Sequence, residues 1–137
     1  PLVVMGRSLG SAPAIELAAQ RAEHILGLIV ESGFAYTIPL LRRLGLDVER
    51  LGLQEASAFG NLVKIGDVRQ PTLIIHAELD RIIPYSDAVA VHKASAAPDK
   101  WLVKIPEAGH NDIFYHGFAQ YMAAMKSFMD RFRNTSR

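Results

Sequence analysis

The sequence predicts an α/β domain: a mostly parallel sheet with flanking helices. Three observations carry that expectation. Four apolar runs of strand length recur along the chain. Stretches with helical spacing lie between them. The resulting order, strand–helix–strand–(variable)–strand–helix–strand–helix, is the alternation expected of a parallel sheet with crossover connections.

The first run, Leu2 to Met5, is apolar throughout and reads as a buried strand. Ser11 to Arg21 has helical spacing, with Ala14, Leu17 and Ala18 on one face. Pro13 falls in its first turn, where a missing N–H breaks no helical bond. Ile25 to Val30 is the second run, ended by Glu31-Ser32-Gly33. Residues 34–66 form a variable segment in which "IPLLRRLGL" and "NLVKIG" predict two or more short helices. Pro71 introduces the third run, Thr72 to His76. Ser86 to Ala96 carries Val89, Val91 and Ala96 amid small residues and reads as a helix. Trp101 to Ile105 is the fourth run, closed by Pro106. Phe114 to Arg133 has the strongest helical signal. Phe114, Phe118, Tyr121, Met122, Met125, Phe128, Met129 and Phe132 form one apolar face, read as packing on the sheet.

Composition narrows the function. Half of the 137 residues are hydrophobic and 21% are charged, the balance of a globular chain with one sizeable core. A net charge of +1 gives no electrostatic case for nucleic acid or an anionic membrane. Arg131, Arg133 and Arg137 make the tail basic, as a solvated helix end would be. With no cysteine there is no disulfide scaffold, thiolate metal site or cysteine nucleophile, and the composition is compatible with the cytoplasm. No apolar run is long enough to span a bilayer, and no charged-then-apolar leader is visible. No metal-ligand spacing and no dinucleotide or phosphate loop appears, so no cofactor is expected.

In parallel sheets functional groups gather at the carboxyl ends of the strands. After the first run comes Gly6-Arg7-Ser8-Leu9-Gly10, a G-x-S-x-G between a strand and a helix. There a serine sits on a sharp turn with its hydroxyl above the sheet. Crowding between the flanking residues calls for glycine at 6 and at 10. The Leu9 amide would face an oxyanion, helped by the helix N-terminus. After the third run, "HAELDRIIP" places Asp80 in a loop, where a carboxylate can orient an imidazole; His76 reads as a packed structural histidine. After the fourth, "IPEAGHNDIF" places His110 on a turn, with the one side chain whose ordinary pKa suits proton shuttling near neutrality. Glu31, at the end of the second run, is a rival for the acid. Glu78, Asp87 and Asp112 lie nearer in sequence to the other motifs. The chain order Ser…Asp…His belongs to one fold among those with a serine nucleophile.

Three stretches, "GRSLGSAPAIELA", "PTLIIHAELDRIIP" and "IPEAGHNDIF", resemble the C-terminal half of an α/β-hydrolase. They are similar to small serine hydrolases near the serine-aminopeptidase and monoacylglycerol-lipase branches. The likeness covers nearly the whole chain. Residues 34–66 fall outside it, where that family inserts variable cap helices. Position by position, the resemblance implies Ser8 as nucleophile, His110 as general base and then acid, and Asp80 as the orienting acid. Leu9 would supply one oxyanion N–H, and Gly6 and Gly10 would frame the nucleophile elbow. Two departures are mild: Ala77 where glycine is frequent, and Ser11 where glycine is frequent. A third is larger. The family places about four strands, and a loop with the second oxyanion donor, before the elbow, and this chain has none of that. The expectation is a single partial domain, 1–137, with an exposed sheet edge that the missing N-terminal half or a dimer partner would cover. Losing one oxyanion donor removes about 3 kcal/mol of transition-state stabilisation, so the chain alone is expected to be slow or inactive.

The reaction implied is acyl transfer to water from a small-molecule ester, thioester or amide. Leu40, Leu41, Leu44, Leu46, Leu51 and Leu53 make the cap-like segment apolar, as an apolar acyl group or simple core packing would require. Two other readings stand beside it: a non-catalytic binding module of the same fold, and an acyltransferase in which an alcohol or amine replaces water.

Overall fold

The computed structural model describes residues 2–133; Arg137, the last arginine of the basic tail, lies outside them. The four apolar runs form one sheet: β1 (Leu2–Arg7), β2 (Ile25–Glu31), β3 (Thr72–Ala77) and β4 (Lys100–Ile105). They lie side by side in chain order, and every pair is parallel. Arg7 stands beside Glu31, Glu31 beside Ile75, and Ala77 beside Ile105. All four carboxyl ends therefore reach one rim of the sheet.

Helices α1 (Ser11–Gln20), α3 (Asn61–Ile65) and α4 (Tyr85–Ala94) cover one face, and α5 (Ile113–Asp130) covers the other. Strand alternation divides the core accordingly. Leu28, Val30 and Ile74 pack with Ala14, Ile15, Ile65 and Val91. Ile29, Leu73 and Ile75 pack with Ile113, Tyr121 and Phe128 of α5. Buried runs such as "LIV" in β2 are apolar at every position because both faces are covered. The variable segment holds α2 (Thr37–Arg43), a 3₁₀ turn (Glu55–Ser57) and α3, as its sequence predicts. A third cluster of Ala12, Phe34, Leu40 and Ile83 ties the start of α1, the loop after β2, α2 and the loop after β3 together. No helix among the described residues is long and apolar enough to cross a membrane.

Several burial expectations are corrected. β1 is not a buried strand: Leu2 is 64% exposed and Met5 42%, because among the described residues β1 is an edge strand paired on one side only. Leu17 and Val89 face outward, and Ala96 lies beyond α4. The long stripe on α5 is only partly core. Tyr121 and Phe128 are buried, whereas Phe114, Phe118, Met122 and Met129 are exposed. A sheet face meets one line of positions along a helix, and the stripe is wider than that line. At Gly117 the helix departs from α geometry (φ −141°, ψ 29°). A Cβ there would lie 2.2 Å from Ile105 Cγ2, so glycine lets α5 approach β4. Of the cap leucines, Leu40 is buried while Leu44, Leu46, Leu51 and Leu53 are exposed.

Candidate active site

The site begins where β1 ends. Ser8 opens a 3₁₀ turn, Ser8–Gly10, that leads into α1, and it takes a left-handed conformation with φ 53°. That region is costly for a residue with a Cβ and is held here by its surroundings. One restraint is the hydroxyl of Ser11, which donates to the Ser8 carbonyl at 2.7 Å. Another is close packing at Gly6. A Cβ there would meet the Gly10 carbonyl oxygen at 2.3 Å and Ala14 Cβ at 2.6 Å. Gly10 differs from expectation. Its φ is −63°, and a Cβ built on it meets nothing within 4 Å. The crowding is real, but of the two glycines it is Gly6, two residues before the serine, where a Cβ would collide.

The loop after β4 brings His110 to Ser8. The Ser8 hydroxyl donates to His110 Nε2 at 2.9 Å, and His110 Nδ1 donates to Asp80 Oδ2 at 2.7 Å. Asp80 sits in the loop after β3 with its side chain fully buried. Its second oxygen accepts the amides of Ile82 at 2.9 Å and Ile83 at 2.8 Å, which fixes the carboxylate's orientation. So Ser8, His110 and Asp80, far apart in sequence, form one hydrogen-bonded row along the rim. Leu9 is the second residue of the turn after Ser8, and its side chain is exposed.

The rival acids are engaged elsewhere. Glu31 accepts from Arg7 Nε at 3.1 Å and from the Tyr121 hydroxyl at 2.8 Å. Glu78 accepts from Lys104, Asp87 from the Ala35 amide, and Asp112 from the Gly109 amide. His76 is buried, as its place in β3 predicts, and donates from Nε2 to the Ile83 carbonyl at 2.8 Å. Its Nδ1 has no hydrogen-bond partner. Burial pushes its pKa down, against the opposing pull of that carbonyl and of Asp80. Among the described residues no three His, Asp or Glu side chains are grouped as a metal ion would need.

Two features escape the sequence reading. Arg7 reaches the His110 carbonyl with Nη2 at 2.5 Å while its Nε holds Glu31. Tyr121, one of the α5 stripe residues, turns out to present a hydroxyl to Glu31. Burial, and then that hydrogen bond, raise its pKa, so the phenol stays protonated as a donor. An arginine and a glutamate at the ends of neighbouring strands were the only available signal. One open cleft lies at the site and another in the cap-like segment. One of about 360 Å³ is lined by His110, Leu79, Arg81 and Ile82. Another of about 360 Å³, in the cap-like segment, is lined mainly by Ile38, Leu41, Leu53, Ala58 and Phe59.

No family model matches the sequence. The chain is 30% identical over 134 residues to alpha/beta hydrolase domain-containing protein aho-3 of Caenorhabditis elegans, covering 94% of this chain and 36% of that protein. It is 30% identical over 132 residues to alpha/beta hydrolase domain-containing protein 17B of Homo sapiens, covering 95% and 42%. The chain thus spans about two fifths of the length of these curated relatives. Among solved structures, Est1E from Butyrivibrio proteoclasticus matches with a TM-score of 0.72 at 24% identity, over 94% of this chain and 60% of that one.

Proposed function

This chain is an α/β-hydrolase-fold protein, and from that premise we propose that it carries the reaction centre of a serine hydrolase. The single observation that carries the reading is the row Asp80–His110–Ser8, closed at 2.7 and 2.9 Å at the ends of three strands. His110 Nε2 takes the Ser8 proton as Oγ bonds to the carbonyl carbon of an ester, thioester or amide. The tetrahedral oxyanion rests on the Leu9 amide and a second donor. His110 then gives its proton to the leaving group as the carbonyl carbon–leaving group bond breaks. Water attacks the acyl-enzyme, passes a proton to His110, and the acid leaves as Ser8 regains its hydrogen. Asp80 holds Nδ1–H throughout and stabilises the transient imidazolium.

Two further parts of the proposal rest on other features of the fold. The apolar lining of the cleft in the cap-like segment favours a substrate with an apolar acyl group. The unpaired edge of β1, with Leu2 and Met5 uncovered, favours a longer domain in which a segment upstream of β1 completes the sheet and supplies the second oxyanion donor.

The test is hydrolysis of p-nitrophenyl esters of graded acyl length, by this chain and by a version extended upstream to the length of its relatives. We expect Ser8→Ala to abolish turnover in whichever form is active, with the longer acyl esters preferred. Undiminished turnover by folded Ser8→Ala overturns the reading.

A further inference from the structure

The strand register sets Arg7, the residue immediately before the nucleophile, beside Glu31 at the end of β2. Glu31 is 2% exposed, and a buried carboxylate needs partners for its oxygens. It has two. One oxygen accepts Arg7 Nε and the other accepts the Tyr121 hydroxyl from α5. Arg7 does not end its work there. Its guanidinium is a planar fork, and Nη2 reaches the main-chain carbonyl of His110 at 2.5 Å. Both ring nitrogens of His110 are taken by Asp80 and Ser8, so the ring itself has no other bond to fix its height above the sheet. The loop that carries it is pinned by its backbone instead. The Ala108 carbonyl accepts the Leu79 amide at 2.8 Å, and the His110 carbonyl accepts Arg7.

We propose that Arg7 is a positioning residue: anchored by Glu31 and Tyr121, it fixes His110 against Ser8 through the His110 carbonyl. Nucleophile and base then move as one unit, because the residue adjoining Ser8 in the chain grips the backbone of His110. A lysine cannot replace it, since one ammonium cannot bridge Glu31 and the carbonyl with the same fork. This inference rests on the serine-hydrolase reading above.

The test compares wild type, Arg7→Lys and the double variant Arg7→Met/Glu31→Gln, which removes both charges and so leaves no buried carboxylate unpaired. Three quantities are measured: the rate of labelling by a fluorophosphonate probe, the thermal midpoint, and the low-field proton resonance of the His110 Nδ1–H bond to Asp80. The double variant should label about ten- to a hundredfold more slowly at a midpoint near wild type, with the low-field resonance broadened or lost. Wild-type labelling by the double variant overturns the proposal. Where the double variant does not fold, Arg7→Lys decides: slowed labelling at an unchanged midpoint supports the proposal, and a wild-type rate overturns it. A wild type that does not label even when extended upstream to its relatives' length counts against the hydrolase reading, and the resonance then judges Arg7 alone. Its loss in a folded variant supports the clamp; its persistence overturns it.

Discussion

Asp80 and Glu31 are both buried carboxylates near strand ends, yet only Asp80 meets the imidazole. Their partners explain the division. Asp80 uses one oxygen on two loop amides and offers the other to His110 Nδ1. Glu31 is saturated by Arg7 and Tyr121. Asp80→Asn should therefore lower kcat by about 10⁴-fold, through loss of the correct imidazole tautomer. Glu31→Gln should lose far less, and steady-state kinetics on one ester substrate separates the two. Equal losses would mean that the acid is misassigned. His76 makes a separate prediction. Burial lowers its pKa in the folded chain, so the folded state binds fewer protons than the unfolded state below about pH 6.5. The stability that comes from keeping His76 neutral is present above that pH and is lost as pH falls from there through the folded value. Urea unfolding at a series of pH values should show this decline. His76→Gln, which keeps an N–H donor and cannot titrate, should flatten it below about pH 6.5.

At the scale of elements, the elbow shows how strand, turn and helix share one constraint. The pattern Gly-x-Ser-x-Gly after a strand was legible as an elbow, and so was the need for glycine. Which glycine bears the load was not, because that depends on how closely α1 passes β1. Gly6→Ala forces a Cβ onto the Gly10 carbonyl and Ala14, and should destabilise the chain by about 1–3 kcal/mol. Gly10→Ala adds a Cβ in open space at a helical φ and should stay within about 0.5 kcal/mol of wild type. Denaturant midpoints for the two variants check the contrast. The α5 stripe teaches a similar lesson. Periodicity correctly gave a helix over this segment, with Tyr121 and Phe128 toward the sheet. Periodicity measures how amphipathic a helix is. It does not say how many layers cover it, so the exposure of Phe114 and Phe118 could not be read from spacing.

Across the whole molecule, what the sequence made legible was local or set by strand ends. The four strands are continuous apolar runs, and Ser8, Asp80 and His110 each follow one of them, so a parallel sheet gathers them at its rim. The Arg7–Glu31–Tyr121 cluster was not legible. It depends on the β1–β2 register and on where one side of α5 lands, neither of which a linear pattern contains. Among the described residues the edge of β1 and the outward side of α5 carry no neighbour, in a chain that spans about two fifths of the length of its relatives.

The measurement that tests the central claim most directly is the intact mass of the purified chain after exposure to a fluorophosphonate probe, with Ser8→Ala treated alongside. The account predicts one equivalent of added mass on wild type and none on Ser8→Ala. An equal mass gain on folded Ser8→Ala, or none on either protein even when extended to its relatives' length, would contradict it.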